Sequence, residues 1–324
     1  MSSRAAHTNP NYGRGTHTLS SDTPSLDDEE GRLKTWLDGF LKQPGLELPR
    51  PPRVALEILA LSQKSTARIE DIASLLEREP LLAGRVLKLA NSAIYGSAEP
   101  ITHLRQALIR MGLTTVRDVV MESAFHMTVI RAEGFNDTLE RIRKHSTAVA
   151  WLSRYVARNT SFDVENAFLV GLLHDVGLSV ALIGLNEFLK KEKATPKLSN
   201  LRWLAVDSVH ESFTEQVLAS WGLPAGILLI VRNHHSLLLD GHPHPQIAIL
   251  KVAEQLASDA GWGVVPSIEA DPDDVAFASA RECPSVDDTE HALQALNLTR
   301  THFQMFADDT RRMLDTLAGQ FREK

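Results

Sequence analysis

Thiols are almost missing from this sequence: Cys283 is the only cysteine in 324 residues. That excludes an intramolecular disulfide and a cysteine-rich zinc site, and a reducing cytoplasm is the expected compartment. Cys283 itself sits between Glu282 and Pro284 in a polar stretch that reads as loop, without the pKa-lowering surroundings a nucleophile needs. Positive charge is also short. Lys and Arg total 34 against 41 Asp and Glu, giving a net charge of −7, so no general attraction to nucleic acid or to anionic lipid is expected. The short basic stretch Arg141-Ile142-Arg143-Lys144 does not outweigh that balance. The N-terminus has no apolar run of the secretory kind. Phe168 to Leu185 is apolar enough to suggest a membrane span, but it carries His174 and Asp175. A central Asp costs about 3 kcal/mol in lipid, so the stretch reads as a buried helical pair. Period-two alternation is nearly absent and no short-period repeat is present.

What is there is helical periodicity, in a chain that is 43% hydrophobic and long enough for one large core or two smaller ones. The expected fold is all-α and two-lobed. Residues 1–30 are polar, end in Asp27-Asp28-Glu29-Glu30 and read as a disordered tail. Residues 31–130 form a first helical lobe. It opens with an amphipathic helix through Leu33, Trp36, Leu37, Phe40 and Leu41, stopped by Pro44-Gly45, and continues past the extended Leu48-Pro49-Arg50-Pro51-Pro52. Helices follow through Val54 to Leu59, Ile69 to Leu76, Leu82 to Leu89 and Ile101 to Met111, and a last one is capped by Thr114 or Thr115. Residues 131–261 form a second lobe, with helices around His145 to Tyr155, Val164 to Leu173, Val176 to Leu189, Ser199 to Val209, Glu211 to Trp221, Ile227 to Asn233 and Ile247 to Ala260. Residues 262–290 read as an acidic, Pro-bearing linker, and 291–324 as two helices docking back on the second lobe.

Chemistry is carried by imidazoles and carboxylates on different helices of the second lobe: His145, the pair His174-Asp175, His210, the pair His234-His235, and Glu254. Together these donors suit a borderline divalent metal such as iron, manganese or zinc, and a carboxylate can bridge two ions. Gly171-Leu172-Leu173-His174-Asp175-Val176-Gly177-Leu178 places two polar groups inside an apolar run. Buried without partners they would cost several kcal/mol, so each needs one. Hydrogen bonds to helix ends and backbone would meet that need as well as a metal would, and both readings stand. Asn91-Ser92 reads as the turn that ends a helix, His242 and His244 as solvated residues of a proline turn, and Trp203 and Trp221 as core or lobe-interface aromatics.

Several segments in order resemble the HDOD domain family: Leu48-Pro49, Glu79-Pro80-Leu81-Leu82, Val86 through Gly96, Ile101 leading to Ala107 through Gly112, His145-Ser146, Ala167 through Gly177, Trp221-Gly222-Leu223-Pro224 and Asn233-His234-His235. The resemblance covers about residues 38–260. It implies an all-helical fold related to the HD phosphohydrolases and a regulatory or scaffolding role in bacterial signalling, often without the metal site. His145, His174, Asp175, His210, His234 and His235 resemble positions that hold metals in the related HD-GYP phosphodiesterases. Three departures stand against catalysis. The late acid, usually Asp, is Glu254; the position of a phosphate-contacting lysine after Gly177 is Leu178; and Ser236 through Gly241 replaces the Gly-Tyr-Pro loop. The expected function is therefore signalling through a regulatory protein partner, with a divalent metal site retained. The alternative is a metal-dependent phosphohydrolase acting on a nucleotide or cyclic dinucleotide.

Overall fold

The computed structural model describes residues 26–92, 100–128, 131–162, 165–264 and 286–322. Its helices are α1 (Leu26–Phe40), α2 (Arg53–Ser62), α3 (Ile69–Leu76), α4 (Pro80–Ala90), α5 (Leu104–Met111), α6 (Leu113–Met127), α7 (Asn136–Arg158), α8 (Ala167–Leu173), α9 (Val176–Glu192), α10 (Asn200–Ser220), α11 (Ala225–Arg232), α12 (Pro245–Asp259), α13 (Val286–Ala295) and α14 (Arg300–Arg322). Among the described residues the fold is all-α apart from one hairpin of two-residue strands.

The centre of the molecule is the apolar stretch 167–192, which contains an 18-residue window with a mean hydropathy of 2.0 that would pass for a membrane span by composition but is 94% buried inside the protein. It breaks into α8 and α9 at Asp175 (φ −111°, ψ 14°). Helix α7 packs along α8, α10 along α9, and α12 closes against α7. Two glycines set how near these helices come. A Cβ on Gly171 would lie 2.8 Å from the Ala150 Cα and the Val149 carbonyl of α7, and one on Gly177 would lie 2.1 Å from the His210 carbonyl of α10. Neither position accepts a side chain without moving a backbone.

Helices α2 to α6 form the other group, with Ile58, Ile72, Leu76, Leu82, Leu108 and Val116 fully enclosed among them. Their link to the centre is ionic as well as apolar. Arg117, only 1% exposed, donates to Asp118 Oδ1 (3.0 and 2.8 Å), to Asn166 Oδ1 (3.2 Å) and to the Glu165 carbonyl (3.1 Å), while Arg154 of α7 reaches Asp118 Oδ2 at 3.3 Å. Burial raises the Asp118 pKa against the pull of Arg117 and Arg154. Trp221 is nearly enclosed and donates to the Pro49 carbonyl at 2.9 Å, tying the extended connector to the end of α10.

The structure changes several local expectations. Residues 26–30 belong to α1 rather than to a tail, and residues 1–25 lie outside the described residues. Helix α1 packs not on the helices that follow it but on α9 and α10. Its Trp36 donates to the Gly184 carbonyl at 2.9 Å, and Phe40 stacks on Phe213. The two helices expected over 199–221 are one continuous 21-residue helix, α10. Helix α6 starts at Leu113 with Gly112 before it, so neither Thr114 nor Thr115 caps it. Asn91 ends α4 as expected, and its side chain also grips both backbone groups of Ile101 at 2.7 and 2.8 Å. Leu238–Leu239 pairs with His242–Pro243 across Asp240-Gly241, both at positive φ, the turn that an Asp-Gly pair favours. His242 is exposed as expected, while His244 caps α12 by accepting from the Gln246 amide. The end of the acidic linker is helical, since α13 begins at Val286, and Cys283 lies outside the described residues.

Two stability predictions follow from this packing. Gly177→Ala is expected to cost about 3 kcal/mol or more by overpacking, whereas Gly226→Ala, exposed on α11 with open space at its Cβ, is expected to be neutral or stabilising by up to about 1 kcal/mol. Urea titration of both checks the contrast. Asp118→Ala strands the Arg117 guanidinium and is expected to cost about 3–5 kcal/mol, while exchanging both residues for apolar ones of similar volume recovers most of that loss in the same titration.

Candidate metal centre

The seven side chains singled out in the sequence converge on one point. His145 comes from the middle of α7, His174 and Asp175 from the α8–α9 break, His210 from the middle of α10, His234-His235 from the end of α11, and Glu254 from α12. All are buried except His235, which is at the surface.

Four of the rings are anchored alike. The Nδ1 of His145 faces the Trp262 carbonyl at 2.8 Å, that of His174 the Gly171 carbonyl at 2.9 Å, that of His210 the Asp207 carbonyl at 2.5 Å, and that of His234 the Val231 carbonyl at 2.8 Å. A carbonyl only accepts, so each Nδ1 carries the hydrogen and each Nε2 is left to the interior. Those Nε2 atoms surround Asp175. Its Oδ1 lies 3.5 Å from His210 and 3.5 Å from His234; its Oδ2 lies 3.2 Å from His174 and 4.0 Å from His145. Glu254 Oε1 stands 3.3 Å from His174 Nε2, and His235 Nε2 stands 3.1 Å from His210 Nε2. Two triads result, His145/His174/Glu254 and His210/His234/His235, each with its donor atoms within 4.8 Å of one another. Asp175 presents one oxygen to each.

Burial lowers the pKa of His145, His210 and His234, which keeps those rings neutral. His174 goes the other way: burial opposes its charge most strongly, but Asp175 and Glu254 outweigh burial and carry it up to about 10. Burial would likewise raise the two acids, yet His174 and its neighbours hold Asp175 well below the usual carboxylate range and Glu254 at about 2. His174 Nε2 is nonetheless enclosed without a well-directed hydrogen bond, although two carboxylate oxygens stand within 3.3 Å. Donor separations of this size are what ligands about 2.1 Å from a shared ion show, near 3.0–3.4 Å across a tetrahedral or octahedral edge. The residues thus fit a divalent ion at each triad, with imidazole and carboxylate donors and with Nδ1 tethers of the kind that orient metal-bound histidines.

Three supporting groups were not anticipated from the sequence. The Trp262 carbonyl anchors His145, and Asp207 and Glu211 flank His210 on α10. Asp207 Oδ1 lies 3.5 Å from His210 Nδ1, and Glu211 Oε1 accepts from the His235 amide at 3.4 Å. The i−3 and i+1 positions of the two acids around His210 were readable, but the carbonyl of Trp262 carries no sequence signal. His242 and His244 are not among the donors brought together.

The HDOD domain family matches residues 48–237, a span that holds every candidate ligand except Glu254. A curated relative from Treponema pallidum (strain Nichols), described as an uncharacterized protein, is 22% identical over 200 residues, covering 59% of this chain and 38% of its own length. The chain therefore spans about two-fifths of that relative. Among solved structures, an HDOD domain protein with unknown function from Geobacter sulfurreducens superposes with a TM-score of 0.60 at 24% identity, covering 89% of this chain and 98% of that one. A Shewanella amazonensis SB2B protein described as a "Putative metal-dependent phosphohydrolase" superposes with a TM-score of 0.59 at 18% identity, covering 88% and 99%. Both likenesses concern the fold.

The electrostatics predict proton-coupled metal uptake. Because the His174 pKa of about 10 lies above its usual 6.5, the metal-free ring holds a proton at neutral pH, and an ion must displace it. Affinity for zinc or manganese at the His145/His174/Glu254 triad is expected to rise about tenfold per pH unit between pH 6.5 and 8.5, with about one proton released by the ion bound there and none by an ion at the neutral His210/His234/His235 triad. Calorimetry in buffers of different ionisation enthalpy reads both quantities; a pH-independent affinity contradicts the assignment.

Proposed function

Because the chain belongs to the HDOD domain family, we propose that it is a bacterial signal-transduction protein that works by binding a regulatory protein partner. We further propose that its second helical group retains a two-ion centre of iron, manganese or zinc, held by His145, His174, Glu254, His210, His234, His235 and a bridging Asp175. The observation that carries the metal assignment is the orientation of the rings: four Nδ1 atoms are tied to carbonyls, and four Nε2 atoms are left facing one carboxylate. That shared polarity turns the Nε2 lone pairs of His145, His210 and His234 toward the interior, where an ion would take them. A binding role is supported by the enclosure of six of the seven ligands and by Leu178, a buried apolar side chain where a phosphate-contacting cation would be needed. Leu81 on α4 and Ile109 on α5, at 68% and 60% exposed, give the other helical group apolar surface for a partner. The acidic balance of the chain argues against nucleic acid or anionic membrane as that partner.

One observation favours the hydrolytic alternative: Asp175 offers an oxygen to each triad, the disposition that would set two ions side by side. Such ions would supply Lewis acidity and an activated water to a phosphoester.

Elemental analysis of untagged, chelator-free protein decides the metal question, and a phosphodiesterase screen on the same preparation decides between the readings. About two equivalents of metal are expected in the wild type, with at least a tenfold loss of affinity in His174→Ala and Asp175→Ala, and no turnover of nucleotides or cyclic dinucleotides. Metal-free protein after reconstitution with all three metals sinks the metal centre. Turnover that Asp175→Ala abolishes would replace the binding role by the hydrolytic one.

A further inference from the structure

Asp175 occupies the residue before α9, where an aspartate ordinarily turns its carboxylate back onto the first free amides of its own helix. Here it makes no such capping bond; both oxygens point into the histidines. The amide it would have served is met by another helix. Gly177 N–H donates to Thr214 Oγ1 at 2.9 Å, and the Thr214 hydroxyl donates in turn to the His174 carbonyl at 3.0 Å. That carbonyl is also an orphan. The α8–α9 break denies it an i+4 partner, since the Leu178 amide bonds the Asp175 carbonyl instead. One fully buried hydroxyl therefore satisfies an unpaired acceptor at the end of α8 and an unpaired donor at the start of α9.

We infer that Thr214 is a cap supplied in trans, a positioning residue that releases the Asp175 carboxylate from helix capping so that it can serve the metal centre. The close approach of α9 to α10 makes this possible. Gly177, having no Cβ, lets the two backbones come close enough for a threonine one turn beyond His210 to reach across. Helix α10 thus contributes twice to the centre, with a ring at His210 and with the hydroxyl that fixes the backbone of His174-Asp175. Thr214 touches no donor atom of either triad, so its effect is exerted through the Asp175 side-chain rotamer. The inference uses the metal centre proposed above only for its effect on metal binding; the rotamer is a separate reading.

The test compares full-length wild type with Thr214→Val, which keeps the shape and removes the hydroxyl, and Thr214→Ser, which keeps the hydroxyl. In crystal structures, Thr214→Val is expected to show the Asp175 carboxylate turned to the Gly177 amide, and Thr214→Ser to leave it among the imidazoles. Zinc affinity by competition with a chelating dye is expected to fall about 10- to 100-fold in Thr214→Val and to stay within about twofold of wild type in Thr214→Ser. Should Thr214→Val not fold, Thr214→Ala removes the same hydroxyl without burying a new branch and reads the same two quantities. Asp175 still facing the histidines in the hydroxyl-less variant overturns the inference, as does a loss of zinc that serine does not rescue. If the wild type takes up no metal, the proposed centre fails while the Asp175 rotamer still decides the role of Thr214.

Discussion

A carboxylate with almost no contact with water has to be answered by positive charge or by polar partners, and Asp175 places that demand at the centre of this protein. The α8–α9 break supplies the charge, with a protonated His174 beside Asp175 itself. Helices α7, α10 and α11 bring neutral imidazoles around it, and α12 brings a second carboxylate that shares His174 with the first. Leaving such a group uncompensated would cost several kcal/mol, comparable to the whole stability of a domain. The arrangement around Asp175 is therefore a condition of folding as much as a device for binding.

The packing serves the same constraint. An apolar stretch running from Ala167 to Glu192 would have been a plain core helix had His174-Asp175 not interrupted it. The interruption leaves unpaired backbone groups in a dry interior, and Gly177 admits α10 close enough for Thr214 to pair them. On the other face, α1 covers α9, placing Leu37 and Phe40 against Gly184. The Arg117–Asp118–Arg154 cluster then ties α6 to α7 and to the turn just ahead of α8. Helices α2 to α6 are joined in this way to the element that ends at His174.

The candidate ligands were legible because they violate their surroundings. A His-Asp pair in an apolar run, a His-His pair at a helix end and a lone Glu in an apolar helix each have to be explained by a partner, and their number suggested a common one. The helical class was equally legible from periodicity. What was not legible depended on contacts between distant segments. The docking of α1 on α9 and α10 rests on a face that would fit many grooves. The trans cap at Thr214 and the Trp262 carbonyl behind His145 use groups that every helix and loop possesses. The two helices expected over 199–221 are one, with His210 buried among the other rings and Glu211 half-facing solvent from the unbroken helix, which only the packing around them shows.

The proton on His174 also bears on what a metal would do here. In small zinc domains the ion is the core, and its removal unfolds the chain. Here an apolar core runs from Leu33 to Leu314, and a protonated His174 already offsets one of the two carboxylate charges at the centre. At His174 proton and ion are alternative occupants, so the charge beside Asp175 is met in either state. The occupant instead changes the charge and the constraint on His174, at the end of the helix that the Arg117 cluster links to the other group. A centre built this way suits a state that a partner could read, and it is less suited to a staple that merely holds the chain together.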